Sequence, residues 1–175
     1  MNRPGIASGI LVLLLAFLLC SCNTIDNERI PNMPVNIQLN NAGLWNVYGV
    51  SGFGSNRSFI FTDSERVPSN FAYTQYSATG FGGVLLISGM NPFTTTTDIP
   101  LAYDLACPVE RNPKIRVYID NDTYVAVCPE CKSTYDVTMG GGAPLSGVAA
   151  TGKYKYGLKV YNCVPAPTGG YIITN

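Results

Sequence analysis

Apolar positions in this chain fall into one unbroken run near the start and then into short segments separated by turn residues. Residues 10–19 are apolar throughout. Further on, residues 44–48, 58–61, 83–87 and 115–119 are brief, rich in aromatic and β-branched side chains, and bounded by Gly, Asn, Asp or Pro. That pattern predicts strands. Residues 115–119 and 123–127 flank Asp120-Asn121-Asp122, which predicts a hairpin. Tyr154, Tyr156, Leu158 and Val160 alternate with Lys153, Lys155, Gly157 and Lys159, predicting a strand with one apolar face and one solvated basic face.

The polar stretch 62–80, with Pro68, Ser69, Asn70 and several tyrosines, fits a surface loop or weak strands, and Thr94 to Thr97 a loop or an edge. No window after the first apolar run has the length and period of an ordinary helix, and no repeat is visible. Many short strands between turn signals predict an all-β fold, a small sandwich or open barrel. Trp45 is expected in or beside the core. Gly140-Gly141-Gly142 lacks the Lys-Ser/Thr of a phosphate loop and reads as a turn needing positive φ.

The first apolar run has a different meaning. Arg3 precedes it, and ten residues are too few to span a bilayer, which takes about 20. They suit the core of an export signal. Leu19-Cys20-Ser21-Cys22 then resembles a bacterial lipobox, with Cys22 as the lipidated residue and Cys20 lost with the signal. The expected organisation is a signal peptide over 1–21, a lipidated tether over 22–34 and a β domain over 35–175. The tether holds Asp26 and Glu28, and acidic residues there resemble the export signals of surface lipoproteins. The membrane would be met through lipid on Cys22, since several acyl chains anchor stably. The expected location is the cell envelope, as an outer-membrane lipoprotein facing the periplasm or the outside.

Charge narrows the partners. Lys plus Arg and Asp plus Glu both total 11, and removing Arg3 leaves a net charge near −1. Such a balance gives no long-range attraction to nucleic acid. The chain has no histidine. Ser-His-Asp and Cys-His catalysis and histidine metal triads are therefore excluded, and no carboxylate pair stands out. The sequence points away from an enzyme, and it names no protein or glycan partner.

What chemistry remains lies in Cys107-Pro108-Val109-Glu110 and Cys128-Pro129-Glu130-Cys131, the latter running on through Lys132, Ser133, Thr134, Tyr135 and Asp136. The second segment resembles the second cluster-binding loop of Rieske iron–sulfur domains, where Cys-Pro-x-His precedes a small residue, an aromatic and Asp. Ala102 to Pro108 resembles the strand entering the first loop, with Cys107 at the cysteine position. Gly147 to Ala150 and Tyr156 to Tyr161 are similar to the closing segments of that family. The layout is similar to Rieske-like lipoproteins of Bacteroides-type bacteria. The resemblance implies a Rieske-like β fold whose two cysteine loops, around residues 102–140, meet at one tip.

A Rieske centre needs two histidines on one iron. Here Val109 and Cys131 stand at those positions, so the ordinary cluster is not expected. An all-thiolate [2Fe–2S] cluster wants a fourth cysteine, and Cys163 is placed far from the loops by the resemblance. Zinc could take Cys107, Cys128 and Cys131 with an oxygen of Glu110 or Glu130. The compartment favours a disulfide from Cys107 to Cys131 or Cys128, with no cofactor bound. A redox-active thiol pair is the fourth alternative.

Overall fold

The computed structural model describes residues 24–91, 96–139, 141–153 and 155–175. Cys20, Cys22 and the apolar run at 10–19 lie outside them. Strand accounts for 39% and helix for 7%, so the chain is all-β. No helix among the described residues is long and apolar enough to cross a membrane.

Among the described residues, fourteen strands, one short α-helix and a 3-10 turn (Val148–Ala150) follow in order. They are β1 (Ile25–Asp26), β2 (Val35–Leu39), α1 (Ala42–Tyr48), β3 (Asn56–Phe61), β4 (Arg66–Val67), β5 (Ala78–Thr79), β6 (Val84–Met90) and β7 (Thr97–Asp104). Then come β8 (Tyr118–Ile119), β9 (Val125–Val127), β10 (Thr134–Asp136), β11 (Pro144–Ser146), β12 (Lys155–Tyr156), β13 (Val160–Pro165) and β14 (Tyr171–Thr174).

Eight strands form one sheet in the order β4-β3-β6-β7-β13-β14-β2-β5. It curls into a half-barrel, and the far strand β5 returns to β3, where the Phe61 N–H donates to Thr79 Oγ1 at 3.1 Å. A second sheet, β11-β10-β9-β8, carries Cys128 and Cys131 in its β9–β10 turn, while Cys107 follows β7 of the larger sheet. The run Val84, Leu85, Leu86, Ile87 explains how the two are joined. Alternate side chains of a strand point to opposite faces. Val84 and Leu86 enter a core inside the curl with Ile37, Phe59 and Ile173. Leu85 and Ile87 enter a second core with Tyr103, Cys107, Cys128 and Tyr135. A strand buried on both faces must be apolar throughout, and this one is.

Several expectations need correction. Residues 44–48 are not a strand but most of α1. The Asn41 side chain accepts from the Leu44 N–H at 2.9 Å, capping the first turn. Trp45 and Tyr48, three residues apart, then share a face. Trp45 packs on Tyr171 with ring centroids 4.8 Å apart, and Tyr48 on Phe71 at 5.0 Å. These aromatics were read as strand formers, but the cap and the helical spacing decide. Of residues 115–119, only Tyr118 and Ile119 pair as strand, although the hairpin to β9 forms as expected.

The alternation from Tyr154 onward also breaks. The chain leaves β12 at Gly157 and enters β13 only at Val160, so Lys159 is buried and Val160 is exposed. Lys159 belongs to no solvated stripe. Its Nζ meets Glu28 Oε2 at 2.6 Å.

Glu28 comes from the segment expected to be a tether. From Ile25 onward that segment packs on the domain: β1 pairs in parallel with β12, Arg29 lies 3.8 Å over the Tyr156 ring, and Ile30 is fully buried. Its few apolar residues lack a period, because each finds a separate site. Gly141 and Gly142 do adopt positive φ, 85° and 59°.

Candidate functional site: a buried trio of thiols

β7 and β9 each end just before a cysteine, Cys107 and Cys128, and both strands lie against the shared second core. The turn after Cys128 returns Cys131 to the same place. The Sγ atoms of Cys107, Cys128 and Cys131 all lie within 4.8 Å of one another. Cys107 Sγ is 3.7 Å from Cys131 Sγ. The first two are buried and the third half-buried. All four described cysteines are free thiols, so the expected disulfide is not formed in this structure, although Cys107 and Cys131 are in non-bonded contact.

Neither Glu110 nor Glu130 places a carboxylate oxygen in the group. Val109 packs against the same core. Cys163 stands on β13 opposite Ile173 and packs on the other core, away from the trio. Burial pushes its thiol up to about 12.

Side chains beyond the cysteines, to which the sequence assigned no role, hold the trio in place. The Tyr135 hydroxyl is 3.4 Å from Cys107 Sγ, and burial first, then the neighbouring sulfur, raises its pKa well above the usual value. Ser133, also buried, accepts the Ala149 N–H at 3.0 Å and lies 3.2 Å from Cys131 Sγ. Burial likewise pushes the Cys128 thiol up to about 12, although the backbone N–H groups of Cys131 and Glu130 oppose it. The signal for Ser133 and Tyr135 was their place immediately after the Cys-x-x-Cys segment.

Asp104 fixes the approach to Cys107. Its Oδ1 accepts the N–H groups of Ala106 at 2.7 Å and Gly82 at 3.0 Å. Its Oδ2 accepts Phe81 N–H at 2.9 Å and the Tyr161 hydroxyl at 2.6 Å. A lone carboxylate inside the apolar stretch 101–107 was the available sequence signal. Burial raises the Asp104 carboxyl above its ordinary value against the lowering by those four donors. A carboxyl raised in the folded state binds its proton more tightly there than when unfolded. Its contribution to stability is then greatest in acid and declines as pH rises from about 3.9 through the folded value. Urea denaturation over that window should show the stability of the unaltered chain falling, relative to Asp104→Asn, as pH increases; parallel profiles would contradict it.

The fold and site together define an all-β protein whose described residues form sheets of eight, four and two strands, with three cysteines gathered beside the four-stranded one. No family model, curated protein or solved structure matches the chain.

Proposed function

We propose that this chain is a membrane-anchored envelope lipoprotein whose Rieske-like β domain has lost the ordinary cluster and serves a structural or interaction role. The observation that carries the reading is the meeting of Cys107, Cys128 and Cys131 from two separate segments in a chain without histidine. Two loops brought to one tip are what the Rieske resemblance implies. Val109 and Cys131 at the histidine positions remove the imidazole ligands. The tip then works as a staple between β7 and the smaller sheet. Among the described residues no catalytic constellation accompanies it, and partners at the envelope, protein or glycan, would meet the outer surfaces of the sheets.

Lipid on Cys22 would stand only three residues before β1, a reach of about 10 Å. The domain would therefore sit close against the membrane rather than swing on a long tether. Mass spectrometry of the mature N-terminus tests the anchor: cleavage before Cys22 with lipid on its sulfur is expected, and an unmodified Cys22 sinks it. Cys22→Ser should move the protein from the membrane fraction to the soluble one with its fold intact, because the packed contacts begin at Ile25.

A second reading is favoured by the number of sulfurs. A disulfide uses two, and three converge here, which supports an envelope module binding zinc or an iron–sulfur group through thiolates.

A further inference from the structure

The two cysteine turns are built alike, though the sequence shows no repeat. Each begins Cys-Pro. Each is closed by an N–H four residues on: Arg111 N–H to the Cys107 carbonyl at 2.9 Å, and Lys132 N–H to the Cys128 carbonyl at 3.2 Å. Each places that basic residue in the left-handed region, at φ 52° and 58°. A non-glycine residue is held there at an energetic cost, which the rest of the turn must offset.

Distances decide what could sit between the sulfurs. Three atoms no more than 4.8 Å apart can all be reached from one point at about 2.8 Å or less. Zinc–thiolate bonds are about 2.3 Å, so a contraction of about half an ångström converts the trio into ligands. The 3.7 Å between Cys107 and Cys131 already matches the edge of a tetrahedron with such bonds, about 3.8 Å. Two bridged irons would spread ligands on opposite irons wider than this trio is spread. Around the sulfurs stand Val109, which offers no donor atom, and the neutral hydroxyls of Tyr135 and Ser133. Among the described residues no carboxylate joins them. A sulfur-only, three-ligand set selects soft cations over hard ones.

We infer that Cys107, Cys128 and Cys131 form a mononuclear three-thiolate site for one soft, thiophilic d10 cation of the zinc, cadmium or copper(I) class. Binding exchanges three thiol protons for one cation, and no electrons move. The inference rests on and deepens the second reading, metal binding through thiolates, and is independent of the lipid anchor.

The test uses the full-length chain, reduced and kept anaerobic, titrated with Cd²⁺. One Cd²⁺ per chain is expected by native mass spectrometry, with a sulfur-to-cadmium charge-transfer band and protection of three thiols from alkylation. Cys107→Ser, Cys128→Ser and Cys131→Ser should each weaken binding by about tenfold or more, since even indirect supports of a metal site are worth that much. Cys163→Ser should leave it unchanged. Undiminished binding in a folded Cys107→Ser variant would reduce the site to an adventitious Cys-x-x-Cys and overturn the inference. So would three thiols in the unaltered chain that alkylate equally fast with and without Cd²⁺, a readout that needs no variant to fold. A lipidated chain that binds no Cd²⁺ sinks this site alone; an unlipidated chain that binds one sinks the anchor alone.

Discussion

Asp104→Ala should destabilise the domain by about 4 kcal/mol, because it strips the acceptor from three backbone N–H groups and one buried hydroxyl at about 1–3 kcal/mol each. The lower end of that range applies if water enters the space left behind. The damage should reach the cysteine trio, since Ala106 N–H is held by this carboxylate one residue before Cys107. Tyr161→Phe removes only one hydrogen bond to the same group and should cost less, about 1.5–3 kcal/mol. Urea denaturation of both variants ranks them. A loss under about 1 kcal/mol for Asp104→Ala would mean that the carboxylate does not organise this neck of the fold.

Gly89→Ala is the second change with a large expected effect, about 2–4 kcal/mol. A Cβ at Gly89 would stand 2.3 Å from the Thr138 carbonyl oxygen and 2.4 Å from Leu101 Cδ1. The leucine can turn aside. The carbonyl cannot, because it is backbone and accepts the Met90 N–H at 2.7 Å. This contact ties the segment after β10 in the smaller sheet to β6 in the larger, at the register shift between Gly89 and Met90. The added methyl must push the two sheets apart there. A denaturation midpoint equal to that of the unaltered chain would show that the sheets do not meet this closely.

In the larger sheet the apolar pattern announced β6 and the second half of β3, whereas β2, β4, β5 and β14 carried no strand signal that was read. Burial on both faces of β6 requires its apolar run. The hairpin of β8 and β9 was announced by its turn residues. Gly89 carried a signal too, since a glycine inside a strand pattern marks a bulge or a close approach, but nothing local names the partner segment. Residues 44–48 misled because Trp45, Val47 and Tyr48 are strand formers by type, whereas one Asn41 side chain settles the helix. Lys159 misled because alternation was carried through Gly157, where the chain changes from one strand to another. Its partner Glu28 lies far back in a segment that had no periodic pattern to reveal it.

At the site, the resemblance pointed to the cysteines and to their meeting, and the three sulfurs are indeed together. The supporting shell was marked only by position, and its contacts were not legible. Asp104, Ser133, Tyr135 and Tyr161 act through long-range contacts that depend on how the two sheets dock. The disulfide expected from the compartment followed from environment rather than geometry; Cys107 and Cys131 stand 3.7 Å apart as free thiols, with Cys128 beside them.

The central claim is the proposed one, that this cysteine tip exists without a Rieske cluster. Iron and acid-labile sulfide, measured per chain on full-length protein made in iron-replete cells and purified without oxygen, test it most directly. The account predicts neither in stoichiometric amount, and no Rieske-type electron paramagnetic resonance signal after reduction, because Val109 and Cys131 supply no imidazole. Two irons and two sulfides per chain, both lost in Cys107→Ser, would contradict it and establish the protein as an electron carrier.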